Sequence, residues 1–214
     1  MLFKSENRGD QWKCISPDLS TNPGPERKGN VPFGTITDIS ESPLRKGLLY
    51  AGTDDGQVHV TKDDGATWTK INQGLPDKWV TRLVASKYDE GTVFLSLTGY
   101  REDDFEKYLY MSTDFGKTWK SIASNLPSES INVIREDPSD KDILYVGTEL
   151  GAYCSIDRGK TWHSLCNHLP TTAVHDIAVH PREGDLVIGT HGRSAFVLDT
   201  KPIKKIKKES TIAK

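Results

Sequence analysis

Cysteine is scarce in this chain: Cys14, Cys154 and Cys166 are the only three among 214 residues, and none sits in a CxxC pair. An odd, scattered set does not make a disulfide framework, and free thiols are the expectation. No His/Cys cluster has zinc spacing, so no metal site and no cofactor are expected. Charge of one sign is lacking too. Twenty-eight Lys and Arg against 30 Asp and Glu leave a formal charge of −2, so no basic field points to nucleic acid. No apolar run approaches the roughly 18–20 residues of a transmembrane helix, and no membrane span is expected. The first residues, MLFKSENRGDQWK, lack the apolar stretch of a secretory signal. Read as a complete gene product, the chain would be cytoplasmic. Sustained 3.6-residue apolar periodicity is also missing, which argues against helices.

What is present is a repeat. Thr61–Trp68 (TKDDGATW), Ser112–Trp119 (STDFGKTW) and Ser155–Trp162 (SIDRGKTW) align without gaps. Ser5–Trp12 (SENRGDQW) is a degenerate fourth copy, with Asn7 in the Asp place and Gln11 in the Thr place. The four tryptophans are 56, 51 and 43 residues apart, the size of one propeller blade. Each intact box is followed by a short strand and a turn: WTKINQGLP, WKSIASNLP, WHSLCNHLP. A strand of alternating character comes next, then one ending near Gly-Thr, then one leading back into a box. With 18 Gly and 11 Pro for turns, this reads as all-β: a β-propeller of four-stranded antiparallel blades, about four per chain.

The box itself has a structural logic. It is the hairpin between the third and fourth strands. Asp63, Asp114 and Asp157 can accept hydrogen bonds from the turn's own N–H groups. Gly65, Gly116 and Gly159 supply a positive φ. Trp68, Trp119 and Trp162 begin the outer strand and can bury their rings against a neighbouring turn or blade. These acidic residues are expected to be structural, not catalytic.

The S/T-x-D-x-G-x-T-W pattern resembles the Asp-box of bacterial neuraminidase repeats, over about residues 3–199. That motif occurs in sialidases, in sortilin-type ten-bladed propellers and in xyloglucanase-like glycosidases. The likeness is greatest to bacterial sortilin-like "glycosyl hydrolase" propellers. It implies a secreted or periplasmic protein, and a binding and assembly scaffold for a protein or carbohydrate ligand. A carbohydrate-active module, glycoside hydrolase or sialidase-like, is the alternative. The motif sits on enzymes and non-enzymes alike, so it carries fold and not chemistry.

Blades are expected at about 34–71, 79–122 and 131–165. A split blade would join 174–199 to 1–16, whose Trp12–Ser16 could supply the missing outer strand. That pairing could occur within one chain, giving about four blades. It could also occur between two chains, giving about eight, or the propeller could belong to a longer protein, so self-association is expected. Residues 201–214 (KPIKKIKKESTIAK) read as a basic, disordered tail.

Propeller topology sorts the loops onto two faces. The boxes share one; the loops between strands 2 and 3, and between strands 4 and 1, share the other, at the channel mouth. Ligand sites belong there, because loops from several blades converge. Strand 1 carries a polar column, Thr37, Thr81, Asn132 and His175, beside Asp38, Arg82, Val133 and Asp176. Candidate site residues are therefore Trp79, Arg82, Tyr100, Arg101, Asp103, Asp104, His175, Asp176, His191 and Arg193. A sialidase would need an arginine cluster, for which Arg82, Arg101, Arg135 and Arg193 are available. An inverting glycosidase would need two carboxylates roughly 6.5–9.5 Å apart, for which Asp103 or Asp104 could pair with Asp38 or Asp176. No spacing demands either arrangement, and no catalytic residue is assigned.

Overall fold

The computed structural model describes residues 1–22, 24, 33–167 and 169–212. Its elements follow the repeat. β1 (Phe3–Lys4) and β2 (Lys13–Cys14) form a small hairpin. Blade 1 is β3 (Ile36–Glu41), β4 (Leu49–Thr53), β5 (Val58–Thr61) and β6 (Thr69–Lys70). Blade 2 is β7 (Trp79–Ala85), β8 (Val93–Gly99), β9 (Asp104–Ser112) and β10 (Lys120–Ser121). Blade 3 is β11 (Ile131–Glu136), β12 (Leu144–Thr148), β13 (Ala152–Ser155) and β14 (His163–Ser164). Blade 4 has three strands, β15 (Val174–Val179), β16 (Asp185–Thr190) and β17 (Ala195–Asp199). Every pairing is antiparallel, as a propeller blade requires.

Blades pack face to face through apolar clusters. Tyr50, Val58 and Val60 of blade 1 meet Val80, Leu83 and Leu95 of blade 2. Phe94 and Leu109 of blade 2 meet Ile131, Ile134 and Val146 of blade 3. Tyr145 and Cys154 of blade 3 meet Val174, Ile177 and Ile188 of blade 4. Period-2 alternation sets this: one face of each sheet looks back, the other forward. Glycine lets the innermost strands approach. A Cβ at Gly52 would run into the Val80 side chain, and one at Gly147 into Val174 and Val133.

The boxes are turns with a second task. The Asp63 carboxylate accepts from the Thr67 N–H (2.8 Å), the Thr67 hydroxyl (2.6 Å) and the Thr61 hydroxyl (2.7 Å). Asp114 and Asp157 repeat the pattern with Thr118, Ser112, Thr161 and Ser155. The Thr67 bonds hold the Asp63 carboxyl down at about 2, and the Thr118 N–H leads in doing the same for Asp114, also about 2. Each Gly follows a residue that is already left-handed, as in Phe115 (φ 64) and Gly116 (φ 83). Each tryptophan then reaches the blade before it. Trp68, Trp119 and Trp162 donate their indole N–H to the carbonyls of Ile15, Ile71 and Ile122 at 2.7–2.8 Å. The side chains of Ile71 and Ile122 lie against Gly116 and Gly159, and Ile15 lies against Gly65. The box is thus a rivet between blades as well as a turn.

The two ends of the chain are placed as follows. The β1–β2 hairpin does not complete blade 4: β2 pairs with β1 alone. Leu2, Ile15 and Leu19 instead pack on Ala51, Ile36 and Trp68 of blade 1. The hairpin stands as the outer half of a blade preceding blade 1, because its Ile15 fits box 1 as Ile71 fits box 2. The basic tail is also ordered. Lys201–Ile212 forms helix α1 in the place where blade 4 would have its box. Lys204 reaches the Asp137 carboxylate (3.4 Å), Lys207 binds Asp140 and Asp142, and Ile203 joins the seam between blades 3 and 4. Lysines that look solvated in sequence find their acids about 65 residues away.

Candidate functional site

The first strands of all four blades converge on one cavity of about 500 Å³. Its wall carries Thr37, Thr81, Asn132 and His175, one from each blade at the same strand position. Thr37 and Thr81 also tie adjacent blades, donating to the carbonyls of Val80 (2.7 Å) and Ile131 (2.8 Å). Loops between strands 2 and 3 add Asp54, Glu149 and the segment Thr98–Glu102, and Phe33 closes one side. The cavity thus opens on the face opposite the boxes.

Its aromatic wall comes from blade 2. Tyr100–Glu102 makes a single 3-10 turn after β8. That turn lays the Arg101 guanidinium over the Trp79 ring, 4.2 Å from its centroid. Tyr100 is exposed and meets Phe105 edge-on at 5.9 Å. Glu102 is drawn off to Lys78 (2.6 Å). Asp54 accepts from the N–H groups of Gly34 and Thr35, and Glu149 holds the Asn132 side chain at 3.0 Å.

Beneath this wall runs a chain of charges through all four blades. Asp38 of blade 1 faces Arg82 of blade 2 at 3.6 Å. Arg82 reaches Asp176 of blade 4, also at 3.6 Å, and Asp176 pairs with Arg135 of blade 3 at 2.7 Å. Burial pushes the Asp38 carboxyl up, against the Leu83 N–H and Arg82, which pull it down. Burial likewise pulls the Arg135 guanidinium down. Each carboxylate here is matched to a guanidinium of another blade.

Of the sequence candidates, Trp79, Arg82, Tyr100, Arg101 and His175 line the cavity. His191 is not in the lining but lies against His175, with ring centroids 5.2 Å apart and the planes tilted by 40°. Asp176 lies in the charge chain, outside the lining. Asp103 takes a left-handed backbone (φ 56) that ends the 3-10 turn, and the chain turns back there. Asp104 consequently binds Lys78 (2.9 Å) and the Tyr108 hydroxyl (2.8 Å), which hold its carboxyl at about 2. It is ionised at neutral pH and cannot serve as a general acid. Arg193 is exposed and outside the lining. Of the proline-rich stretch NPGPERKGNVP, all but Asn22 and Gly24 lies outside the described residues. Sequence reasoning passed over Phe33, Asp54, Glu102 and Glu149. Asp54 and Glu149 were findable, since both follow the Thr that ends a second strand. Among the described residues no group of His, Cys, Asp and Glu could hold a metal, and no helix is long and apolar enough to cross a membrane.

Comparison with known proteins follows the architecture. The family model described as Sortilin-Vps10 (sortilin, neurotensin receptor 3) matches residues 1–126 and 106–205. A vacuolar protein sorting/targeting protein 10 from Laccaria bicolor is 28% identical over 128 residues, 55% of this chain and 8% of that protein. Among solved structures, a GH74 enzyme of Niastella koreensis superposes with a TM-score of 0.64 at 17% identity. That match covers 91% of this chain and 32% of the enzyme. A YCF48 structure with a bound D1 peptide gives a TM-score of 0.57 at 18% identity, over 78% of this chain and 52% of that one. These structural likenesses show the fold. The chain spans only a small part of its sorting-protein relative and about a third of the GH74 enzyme.

Proposed function

The chain belongs to the Sortilin-Vps10 family of β-propellers, and on that footing we propose that it is a binding scaffold that holds a polypeptide segment in the channel-mouth cavity without catalysing a reaction. The observation that carries this reading is the convergence of four blades on one cavity with the Trp79–Arg101 stack on its wall. A flat aromatic face, a guanidinium and the polar column offer apolar contact and hydrogen bonds side by side, as peptide side chains and backbone require. Asp38, Asp54, Glu102 and Asp176 are engaged in ion pairs or backbone bonds and Glu149 accepts from the Asn132 amide, which favours binding over acid–base work. The D1 peptide on the YCF48 propeller points the same way.

An immobilised random-peptide array probed with the labelled chain tests this. Arg101→Ala and Trp79→Ala should each lower retention of the selected peptides about tenfold or more, with melting unchanged. Selected peptides that bind both variants as well as the parent would overturn the reading. A second reading, a carbohydrate-binding or glycoside-hydrolase module, is favoured by one observation. Exposed Tyr100 beside Trp79 is a surface on which a sugar ring can stack, and GH74 enzymes share the fold. Calorimetry with xyloglucan oligosaccharides, together with a reducing-sugar assay, decides between the two.

A further inference from the structure

Carboxylates at the channel mouth divide into two sets. Asp38 and Asp176 face Arg82 and Arg135, and Glu102 and Asp104 face Lys78. Asp54 and Glu149 also line the cavity, yet neither forms an ion pair among the described residues. The repeat puts both at one place. Each follows the Thr that ends the second strand of its blade, and each donates its backbone N–H to the residue before the first strand. Asp54 reaches the Thr35 carbonyl (3.0 Å) and Glu149 the Ser130 carbonyl (3.1 Å). In blade 4 the same bond runs from His191 to Ala173 (2.8 Å), and blade 2 has Gly99 at that position.

Each of the two carboxylates is half used. Asp54 is only 5% exposed. Its Oδ1 accepts from the N–H groups of Gly34 (2.8 Å) and Thr35 (2.7 Å), while Oδ2 has no partner among the described residues. Glu149 accepts from the Asn132 side chain through Oε1 at 3.0 Å, and its Oε2 is likewise without one. Burying a carboxylate without a cation costs desolvation that hydrogen bonds offset only in part. The local structure does not need the charge, since an amide oxygen in either place would accept the same bonds. The cations on the lining are directed elsewhere: Arg82 faces Asp38 and Asp176, Arg101 lies over the Trp79 ring, and His175 lies against His191.

We propose that the polypeptide held in this cavity is basic, and that its lysine or arginine side chains bind Asp54 and Glu149. This rests on the reading of the cavity as a polypeptide site and adds the charge of the segment it takes. Blades 1 and 3 flank blade 2, so the two carboxylates stand on either side of the Trp79 wall. A segment crossing that wall can present a cation to each and rest its apolar carbons on the indole between them. Ammonium and guanidinium groups donate charge-assisted bonds to the unused Oδ2 and Oε2, and water leaving the cavity strengthens those bonds. An acidic side chain in the same place meets two like charges, so the pair also selects against acidic segments.

Two measurements test it. On the random-peptide array, the retained sequences should be enriched in Lys and Arg, and their retention should fall as salt rises. Asp54→Asn and Glu149→Gln keep the bonds made by Oδ1 and Oε1 and remove only charge, so melting should be unchanged. Each should weaken retention of the basic peptides about fivefold or more. The second measurement needs no peptide. N-acetyl-arginine amide titrated into the 15N-labelled chain should shift the Gly34 and Thr35 N–H resonances and the Asn132 side-chain amide, which touch the two carboxylates. N-acetyl-glutamine amide and N-acetyl-glutamate amide should not. Asp54→Asn should remove the shifts at Gly34 and Thr35 and leave the one at Asn132. If Asp54→Asn fails to fold, Glu149→Gln, on a half-buried loop, carries the same comparison. Arginine-dependent shifts with no retained peptide would sink the polypeptide reading and leave the preference for cations standing. Retained peptides that are neutral or acidic, basic peptides bound equally by both variants, or no arginine-dependent shift at any of the three groups would overturn the proposal.

Discussion

Replacing the four box tryptophans one at a time separates a turn motif from a rivet. If the box stabilised the fold only through its own turn, the four substitutions would cost alike. The structure says otherwise. Trp162 is almost fully buried, donates to the Ile122 carbonyl at 2.7 Å and packs in the core between blades 2 and 3. Trp68 and Trp119 keep the bond but are only partly buried. Trp12 has the same turn around it: Ser5 accepts from the Gly9 N–H (2.7 Å) and Asn7 from the Gln11 N–H (2.9 Å). Yet its ring is exposed.

Trp162→Ala should therefore destabilise by about 3–5 kcal/mol, the usual cost of emptying an aromatic site in a core. Trp162→Phe should cost about 1–3 kcal/mol, mostly from leaving the Ile122 carbonyl buried and unpaired. Trp119→Ala and Trp68→Ala should fall between Trp162→Ala and Trp12→Ala. Trp12→Ala should stay within about 0.5 kcal/mol. Urea unfolding followed by far-UV circular dichroism gives these values as midpoint shifts at constant slope. A Trp12→Ala cost equal to that of Trp162→Ala would refute the rivet argument and return the box to a local turn.

Further outcomes follow from the same geometry. Asp63, Asp114 and Asp157 have carboxyls held below their ordinary range, so their stabilising bonds are complete above about pH 4 and are lost as pH falls, for Asp63 and Asp114 toward about 2. Melting temperature should drop below about pH 4, and Asp114→Asn should flatten that drop. Gly147→Ala should lower stability by about 1–3 kcal/mol through overpacking against Val174, whereas Gly189→Ala, where a Cβ meets no side chain within 4 Å, should stay within about 0.5 kcal/mol. Asp104→Asn should remove one of the two carboxylates that Lys78 meets, Glu102 remaining, without creating or removing turnover, read by a glycosidase assay at pH 4–7.

How far the sequence could be read depends on whether a contact is local. The box is eight residues long and forms its bonds within itself, so spacing alone exposes it. The polar column was equally legible. Thr37, Thr81, Asn132 and His175 break the apolar alternation of a buried strand, and all four line the cavity. Asp103 and Asp104 were not, because one left-handed residue decides which way the loop returns. Nothing in TGYREDDFEKY says that Asp103 adopts it. The helix at Lys201–Ile212 was hidden for the opposite reason. Its partners Asp137, Asp140 and Asp142 lie far away in sequence, and a run of lysines without them reads as solvated.

The charge chain beneath the cavity joins these scales. Arg82 belongs to blade 2 and Asp176 to blade 4, so their approach to 3.6 Å bridges across blade 3 near the channel axis. Arg135 of blade 3 meets the same carboxylate, and Asp38 of blade 1 meets the same arginine. Four residues on the first strands therefore set the spacing of the four blades where the cavity wall is built. A binding surface assembled from four sheets needs such a tie, because each sheet contributes only one or two side chains and a shift of one blade would separate them. Pairing charges costs desolvation and is weak evidence for stability. Its use here is geometric: Arg135 donates to the Asp176 carboxylate at 2.7 Å and to the Ile177 carbonyl at 2.9 Å, which fixes blade 3 against blade 4 at two points.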